Sequence, residues 1–360
     1  MTIIQVTTGL DQNSGGPFFF AQELGKVLTE FEIEFRSIVF GGLGPVNHSM
    51  EMYSLNLRSN RNGLFSFPSF RQVKALQATT LVIFHGFYLL SLFWVFSCTK
   101  KRIAVIPHGS ISKYQHGKSK FAKILFRKVI SIFDNRKRIK FYVASEQERQ
   151  DVLEFFPQND VINLGLWVSP SNLSKIRNRP ITHKNICLIT RLHPVKNIEN
   201  LLIAFAKIRQ QSNLNFFLFI AGEGDFHYVK TLKGKVFGLG LDPYVEFLGH
   251  LDGYEKDLLW DKCDLLCQIS FYENFGQVVA ESVMRGVPVV VSKNLGISSI
   301  IESTGTGFLV DPIDPQDIAN AILQALENYP QLRFKCIQNR KVFSKEFVAT
   351  RWIRQIEIDS

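Results

Sequence analysis

Short apolar runs rich in β-branched residues alternate with helix-like patterns along the whole chain. In the first half the strand-like runs read TIIQVTT, EIEFRSIVF, TLVIFHG, RIAVIPHG and KFYVAS, and the first helical pattern runs from about Phe19 to Thr29. Such alternation is typical of a parallel sheet covered by helices. The pattern therefore predicts an α/β fold for this half.

A second alternating series begins after a cluster of Pro, Ser and Asn residues at 170–180, which we interpret as a linker. Its strand-like runs read NICLITRL, NFFLFIAGEG, VEFLGHL, DLLCQIS, PVVVS and GFLVDP. Because 360 residues exceed one typical domain, we predict two doubly wound, Rossmann-like domains facing a central cleft, at 1–170 and 171–340. We expect 341–360 to form a C-terminal helix that packs back on the first domain. Ligands of such sheets bind beyond the carboxyl ends of the strands, so candidate chemistry is expected there.

The composition is that of a globular protein, with 46% hydrophobic and 21% charged residues. The five cysteines are odd in number and lie mostly in apolar runs, which indicates reduced core residues of a cytosolic protein. No further His or Cys pair completes a zinc pattern around Cys263 and Cys267, so no metal site is expected. The N-terminal run MTIIQVTTG lacks the pattern of a signal peptide.

The positive charge is concentrated in the first half of the chain. Residues 1–180 carry 23 Lys and Arg against 12 Asp and Glu, and the segment Lys100–Lys140 holds 13 basic residues and one acid, Asp134. This basic band predicts an anionic partner, either lipid headgroups or an acidic polymer. A solvated charged face is the alternative, and nucleic acid is the least favoured partner because no recognised binding motif accompanies the band.

The segment Ala75–Thr99 has no formally charged residue over 25 positions and is followed by Lys100, Lys101 and Arg102, as a membrane span would be. The alternative interpretation divides it into a strand, TTLVIFHG, and a short buried or interfacial helix, FYLLSLFWVF. We favour the second interpretation, because a span would place 1–74 across the bilayer from the rest of the chain.

Two cations follow the strand NICLIT. Arg191 ends this strand, and Lys196 precedes a helix that we expect to start at Asn197. Helix N-termini carry free N–H groups and a partial positive charge, so the two side chains beside one predict a phosphate or diphosphate site. The alternative is that Arg191 pairs with a local acid such as Glu199 and that Lys196 is solvated.

The run FYENFGQVVAESVMRGVPVVVS contains two glutamates, Glu273 and Glu281, around a helix predicted to begin at Phe275 or Gly276 and to end before Gly286. A helical rise of 1.5 Å per residue would separate the two carboxylates by roughly 12 Å along the axis. That distance is too long for joint action on one atom but matches a nucleotide sugar, with its diphosphate over the amides that follow Glu273. Helix capping by Glu273 and a surface position for Glu281 are the alternatives.

Candidate groups in the first half also lie just after strands. Gly15 and Gly16 would let the backbone approach a phosphate closely, although their segment could be a simple turn. His108, in VIPHGS, and His85, in VIFHGF, are expected to be open to a cleft, where an imidazole can bond a hydroxyl or stabilise charge. A purely structural role is the alternative for each.

The motifs at these positions resemble the family 4 (group 1) glycosyltransferases of the GT-B fold. The matching runs in the C-terminal half are ICLITRLHPVKNIENLLIAF, FIAGEG, VEFLGHL, ENFGQVVAESVMRGVPVVVS and TGFLVDP. In the N-terminal half the matches are Gly-Gly after the first strand, PHGS and ASEQE. The resemblance implies an N-terminal acceptor-binding domain and a C-terminal domain that binds a nucleotide sugar.

The resemblance also implies roles for the matched residues. Arg191 and Lys196 would neutralise the donor diphosphate, Glu273 would bind hydroxyls of the donor sugar, and Glu281 the ribose hydroxyls. Gly16 would give a backbone donor to the leaving group, and His108 would sit by the transferred sugar. The implied catalytic set is His108, Arg191, Lys196 and Glu273; the donor-binding set is Gly15, Gly16, Arg191, Lys196, Glu273, Asn274, Phe275, Gly276 and Glu281; His85 is a candidate contact of the acceptor or the sugar.

The implied enzyme is a retaining, metal-independent glycosyltransferase without a cofactor, whose donor would be a UDP- or GDP-sugar. We expect it to extend a lipid-linked saccharide in surface polysaccharide synthesis, such as lipopolysaccharide, O-antigen or capsule. It would lie in the cytoplasm, peripherally on the inner membrane face, with the basic band and FYLLSLFWVF on anionic lipid. The alternatives are a nucleotide-sugar epimerase of the same fold and a non-catalytic GT-B partner subunit.

Overall fold

The structure, a computed structural model, describes residues 1–8, 16–40, 70–87, 90–112, 120–134, 138–168, 184–211 and 216–360. It divides into two compact units, of which unit 1 is Met1–Gly165 with Ala349–Ser360 and unit 2 is Leu166–Val348. Each unit is built on one six-stranded sheet whose strands pair in parallel. The predicted α/β class with two doubly wound sheets is therefore confirmed.

Unit 1 has the sheet order β2-β1-β3-β4-β5-β6, with helices between the strands. The strands are β1 (Thr2–Thr8), β2 (Glu34–Phe40), β3 (Leu81–His85), β4 (Arg102–Ile106), β5 (Ile139–Val143) and β6 (Val161–Asn163); the helices are α1 (Gly16–Glu30), α2 (Phe70–Ala78), α3 (Leu90–Cys98), α4 (Lys120–Phe133) and α5 (Glu146–Phe155).

Alternation of side chains along the strands of unit 1 gives the sheet two differently built faces. Ile4 and Val6 of β1 join Phe84 of β3 in one hydrophobic core. Between them, Gln5 points to the opposite face, where its side-chain amide donates to the Ala21 carbonyl of α1 at 3.0 Å. The period of two along a strand likewise places His85, the neighbour of Phe84 in β3, on the face of Gln5.

The last helix, α13 (Lys345–Asp359), contributes its residues from Ala349 onward to unit 1. Trp352 is fully buried there, with its ring 5.0 Å from that of Phe20 and 5.7 Å from that of Tyr142. The buried Asp359 accepts hydrogen bonds from Lys140 at 2.7 Å and from the Tyr142 hydroxyl at 2.6 Å. Aromatic packing and a buried carboxylate together fix this end of the chain on unit 1.

Unit 2 has the sheet order β12-β11-β10-β7-β8-β9. Its strands are β7 (Lys184–Ile189), β8 (Phe216–Ala221), β9 (Val245–Gly249), β10 (Leu265–Gln268), β11 (Val289–Ser292) and β12 (Gly307–Val310); its helices are α6 (Ile198–Gln211), α7 (Phe226–Gly238), α8 (Gly253–Lys262), α9 (Gln277–Met284), α10 (Ser298–Thr304), α11 (Pro315–Glu327) and α12 (Tyr329–Asn339). Short turns of 3-10 helix at Pro194–Lys196 and Arg340–Phe343 complete the unit.

The apolar segment Ala75–Thr99 is divided among α2, β3 and α3, as the favoured interpretation predicted. Leu92, Val95 and Phe96 of α3 are buried in the core of unit 1, so the expectation that this helix contacts lipid is wrong for these three side chains. The sheet needs a covering layer, and the apolar helix provides it. No helix within the described ranges is both long and apolar enough to cross a membrane.

The basic band is only partly a surface feature. Arg127 is buried with its guanidinium 3.6 Å above the Phe155 ring, and Arg138 donates to the Thr99 carbonyl at 2.6 Å. Lys140 pairs with Asp359 at 2.7 Å. The expectation that the basic band faces an anionic partner is therefore wrong for these three cations, which make contacts within unit 1.

Candidate functional site

A cavity of about 720 Å³ opens in unit 2 at the carboxyl ends of β7, β8 and β9. It is lined by Ile189–His193 at the end of β7, Ala221–Asp225 at the end of β8, His250 and Leu251 after β9, Lys256 of α8 and Val278 of α9. Parallel strands end at the same edge of a sheet, so short segments far apart in sequence meet here. This edge is where the sequence predicted candidate chemistry.

Two glycines let the segment after β8 lie directly against the segment after β7. A Cβ on Gly222, whose φ is +136°, would lie 1.8 Å from the Thr190 oxygen, and one on Gly224 would lie 2.0 Å from the Leu192 oxygen. The two segments are joined by a hydrogen bond from the Leu192 N–H to the Glu223 carbonyl at 2.7 Å. The run AGEG therefore brings backbone to the cavity wall where a side chain would collide.

Lys196 and Glu273, 77 residues apart in sequence, meet beside this edge. Lys196 ends the 3-10 turn, and the next residue, Asn197, takes a left-handed conformation with φ 55°. Its side-chain amide donates to the carbonyls of Ile269, at 3.1 Å, and Pro312, at 2.6 Å, which ties the turn to the sheet. The Lys196 Nζ lies 2.5 Å from Glu273 Oε1.

The helix that follows Lys196 begins one residue later than predicted. α6 starts at Ile198, because the left-handed Asn197 separates it from the 3-10 turn. Lys196 thus lies in a turn of its own, held by the His193 side chain, which accepts from the Val195 N–H at 3.2 Å.

Glu273 lies in a short bridge rather than at the mouth of a helix. Its carbonyl accepts from the Gly296 N–H at 3.0 Å, and the residue pairs in parallel with Leu295. Its carboxylate atom Oε1 also accepts from the Gln268 amide at 3.0 Å and the Ser270 hydroxyl at 3.2 Å. The carboxylate is therefore held from the sheet side by groups of β10 and the segment after it.

The helix after Glu273 is shorter than predicted. α9 begins at Gln277, with Gly276 before it at φ +106°, and ends at Met284. Only four steps, roughly 6 Å of axial rise, separate Gln277 from Glu281. The 12 Å figure, which assumed helical rise over the whole interval, is therefore not supported by the backbone.

Glu281 is the second carboxylate of the predicted site, and its partner is a lysine of the cavity wall. Lys256 Nζ lies 2.6 Å from Glu281 Oε2. Both side chains are mostly buried, and Lys256 and Val278 bring this part of α8 and α9 to the cavity. The alternative of an isolated surface charge at Glu281 is not what the structure has.

The remaining predicted residues of unit 2 have different environments. Arg191 is exposed, lines the cavity and makes no ion pair with any residue in the described part of the chain. The alternative pairing with Glu199 is not found, since Glu199 accepts from the Tyr228 hydroxyl at 2.8 Å. Phe275 is buried, with its ring 6.4 Å from that of Phe343, and Asn274 is half-buried between Glu273 and this core residue.

The two candidate histidines of unit 1 form a pair. His85 Nδ1 and His108 Nε2 lie 3.1 Å apart, and the rings stack with centroids 5.4 Å apart. The expectation that both are open is wrong for His85, which is 3% exposed, because His108 and Phe20 cover it. His108 is partly exposed and has a φ of 52°.

Both imidazoles are neutral at physiological pH. Burial, and then the charge of a protonated His108, hold the pKa of His85 well below its usual value, and burial lowers the pKa of His108 to about 4. Two neutral rings share one hydrogen between Nδ1 and Nε2. Glu148 supports the segment, because its carboxylate accepts from the Gly109 N–H at 2.6 Å and the Ala144 N–H at 2.8 Å.

The predicted glycines at the start of unit 1 are only partly within the described residues. Gly16 is the first residue of α1. Gly15 belongs to 9–15, outside the described residues.

Sequence analysis missed several residues of the site in unit 2. Gly222 and Gly224 follow a strand in the run AGEG, a signal that could have been read as a close backbone approach. Lys256 lies in a polar helix whose pattern contains nothing unusual. Gln268 is the one polar residue in the strand LLCQ, and a buried amide at a strand end could have been recognised as a candidate.

The comparisons with known proteins agree with the predicted resemblance. Residues 171–343 match the family model described as glycosyl transferases group 1. An uncharacterized glycosyltransferase of Methanocaldococcus jannaschii is 34% identical over 168 residues, which cover 47% of this chain and 42% of that protein. The O-antigen chain mannosyltransferase B of Escherichia coli is 29% identical over 145 residues, 39% of this chain and 36% of that protein. The aligned part of the chain spans less than half of the length of these curated relatives.

Solved structures show the same fold over the whole chain. Anabaena HepE in complex with UDP superposes with a TM-score of 0.72 and 19% identity, covering 99% of this chain and 100% of that one. The predicted GT-B fold is confirmed by this likeness and by the two parallel six-stranded sheets. Residues 171–343 thus match the family of group 1 glycosyl transferases, and the chain as a whole is similar in fold to the GT-B proteins.

Proposed function

We propose that the protein is a retaining glycosyltransferase that moves a sugar from a nucleotide diphosphate sugar to a saccharide acceptor. The observation that carries the proposal is the meeting of Lys196 and Glu273 beside a cavity whose wall includes Arg191, an exposed cation with no ion pair among the described residues. The cations Arg191 and Lys196 suit a diphosphate, and the Glu273 carboxylate suits hydroxyl groups. The family match of 171–343 supports the same assignment.

In the proposed reaction the bond between the sugar C1 and the leaving phosphate breaks, and the acceptor oxygen bonds to C1 on the same face. The acceptor proton passes to the leaving phosphate. Arg191 and Lys196 stabilise the negative charge that develops on the diphosphate, which lowers the barrier without a bound metal ion. Glu273 accepts hydrogen bonds from sugar hydroxyls and thereby holds C1 in place.

The resemblance implies roles for two residues of unit 1. Gly16, at the start of α1, would offer a backbone N–H to a phosphate, and His108, as a neutral imidazole, would bond a sugar hydroxyl. The low pKa of His108, which burial causes, suits this task because a neutral ring can accept a hydroxyl hydrogen.

The donor and pathway follow by analogy with relatives. HepE has been solved with UDP-glucose, and one relative is an O-antigen chain mannosyltransferase. We infer a UDP- or GDP-sugar as donor and a lipid-linked saccharide of a surface polysaccharide as acceptor.

The test is a screen of nucleotide sugars by thermal shift, followed by transfer assays with the donor that stabilises the protein. Lys196→Ala and Glu273→Ala should abolish transfer while the circular dichroism spectrum is retained. Lys293→Ala is the matched control, because Lys293 forms an exposed ion pair with Asp311 at 2.6 Å in the same unit, and it should leave transfer unchanged.

The same assays separate the two alternatives. An epimerase would convert the donor without any acceptor. A non-catalytic partner subunit would keep its function in both alanine variants. Either result would contradict the proposed transfer reaction.

We also propose that α4 docks unit 1 on an anionic lipid surface. Ile124, Leu125 and Ile132 of α4 are exposed, the last by 73%, and the exposed Lys128 lies between them. Apolar side chains beside a cation on one helix suit the boundary between headgroups and acyl chains. In this proposal α4 takes the lipid-contacting role that was expected of α3, whose Leu92, Val95 and Phe96 face the core.

Flotation with vesicles tests the docking. Binding should increase with the fraction of anionic lipid and decrease with salt, and Leu125→Asp with Ile132→Asp should reduce it. Ile313→Asp changes an equally exposed isoleucine of unit 2 and is the control. Binding that ignores lipid charge and salt, or a control that behaves like the double variant, would rule the surface out.

A further inference from the structure

Gln268 is a buried amide at the end of β10 that contacts the proposed site without lining its cavity. It is 3% exposed, and its Nε2 lies 3.0 Å from Glu273 Oε1, 3.0 Å from the Ser270 hydroxyl and 3.5 Å from the Thr190 hydroxyl. An ionised carboxylate can only accept hydrogen bonds, so the nitrogen of the amide must face Glu273. The orientation of the Gln268 amide is therefore set by the carboxylate.

This orientation leaves the other end of the amide unsatisfied. Gln268 Oε1 is buried and has no hydrogen-bond partner among the described residues. A buried acceptor without a partner destabilises the folded state, whereas an apolar side chain of the same shape would avoid that loss. Stability of unit 2 does not explain a glutamine at this position.

The hydrogen bonds that the Glu273 carboxylate accepts in the described part of the chain all end on one oxygen. Lys196, Gln268 and Ser270 donate to Oε1, at 2.5, 3.0 and 3.2 Å. Lys196 is the single titratable group among these donors. With Oε1 saturated and its carboxylate plane fixed by three donors, Oε2 is the oxygen left to accept from a ligand.

We propose that Gln268 is a positioning residue that fixes the Glu273 carboxylate and turns its Oε2 toward the donor sugar. The inference rests on the proposed function, in which Glu273 binds sugar hydroxyls. Ser270 supplies a second fixed donor from the same segment, and Thr190 links the Gln268 amide to the cavity wall. Precise placement of such a group contributes to rate because it removes misaligned orientations of the bound donor.

Gln268→Met tests the inference, because methionine keeps the unbranched shape and loses the donor. Transfer, measured as kcat/KM, should fall about tenfold or more, as expected for a misplaced contact. The unfolding midpoint should stay level or rise. Loss of a hydrogen bond to the carboxylate also disfavours its charged form, so the acid side of the pH profile should move to higher pH.

Gln268→Glu gives a second, opposite signature. The new carboxyl group repels Glu273 when ionised but donates the missing hydrogen bond when protonated. Activity of this variant relative to the wild type should therefore rise as the pH falls, whereas that of Gln268→Met should fall. A merely structural role for Gln268 would not produce two profiles of opposite slope.

Asn185→Leu is the control, because it removes another buried amide of unit 2, which donates to the Lys262 carbonyl at 2.9 Å at the opposite end of β7. It should lower the unfolding midpoint and leave the pH profile unchanged. Gln268→Met with wild-type kcat/KM and pH profile, or with a loss that follows its midpoint, would overturn the inference alone. A wild-type protein that transfers no sugar would overturn the proposed function and this inference with it.

Discussion

The Lys196–Glu273 pair predicts that the site discriminates between a nucleotide sugar and the nucleoside diphosphate that remains after transfer. In the structure the two side chains are bonded to each other, with 13% of the Lys196 side chain and 21% of the Glu273 side chain exposed. A diphosphate that recruits Lys196 must break this pair. A nucleotide sugar compensates Glu273 with the hydroxyl groups of its transferred sugar, whereas a nucleoside diphosphate lacks that sugar.

Glu273→Gln removes the pair while keeping the shape of the side chain. A charge-assisted hydrogen bond in a partly buried position contributes about 2 kcal/mol. We therefore expect the variant to bind the nucleoside diphosphate roughly 30-fold more tightly than the wild type does. The nucleotide sugar should gain less, because its hydroxyls then meet a neutral amide in place of a carboxylate.

Isothermal titration of both ligands against both proteins measures the ratio of the two affinities. Glu281→Gln is the comparison, since its pairing with Lys256 is similar and both ligands carry the ribose that Glu281 is proposed to bind. It should weaken both ligands alike and leave their ratio unchanged. If Glu273→Gln also weakens both by one factor, Lys196 does not exchange partners and the reasoning is refuted.

Three further predictions concern stability and the cavity. Asp359→Asn should lower the free energy of unfolding of unit 1, measured in urea, by about 2–4 kcal/mol, because the buried Asp359 carboxylate accepts from Lys140 and Tyr142. Asp160 is exposed, so Asp160→Asn should change this free energy by less than about 1 kcal/mol. Since the pKa of His108 is lowered to about 4 in the folded state, the unfolded chain binds this proton first as the pH falls. The free energy of unfolding of unit 1 should therefore fall by about 2 kcal/mol between pH 7 and 5, and His108→Gln should reduce that dependence on pH. Gly224→Ala should weaken nucleotide binding, because a Cβ would lie 2.0 Å from a backbone oxygen, whereas Gly234→Ala, with open space around it, should not.

The secondary structure and the place of the site could be predicted because both follow from local patterns. Apolar runs such as DLLCQIS become buried strands wherever helices cover both faces of a sheet, and β10 lies within that run. Arg191, Lys196 and Glu273 were found from their positions after strands, since the carboxyl ends of parallel strands meet at one edge. No knowledge of tertiary contacts was needed for these residues.

What could not be predicted depends on contacts between segments far apart in sequence. The burial of His85 results from Phe20 and His108, and Phe20 is itself packed by Trp352 near the end of the chain. The partner of Glu281 is a lysine of another helix, and the length of α9 is limited by the left-handed Gly276. Propensity and periodicity do not contain this information.

The pairing of charges in unit 2 also fixes the direction in which an anionic ligand would enter. Lys196 neutralises Glu273 and Lys256 neutralises Glu281, so neither carboxylate repels an approaching diphosphate at full strength. Arg191 is the exposed cation of the cavity wall, whereas the segment after β8 presents Glu223 and Asp225 on another part of that wall. A diphosphate is attracted to the first and repelled by the second, while hydroxyl groups have the opposite preference. In the proposed reaction, the arrangement of cations and carboxylates, rather than their net charge, would orient the nucleotide sugar before any contact with its base is made.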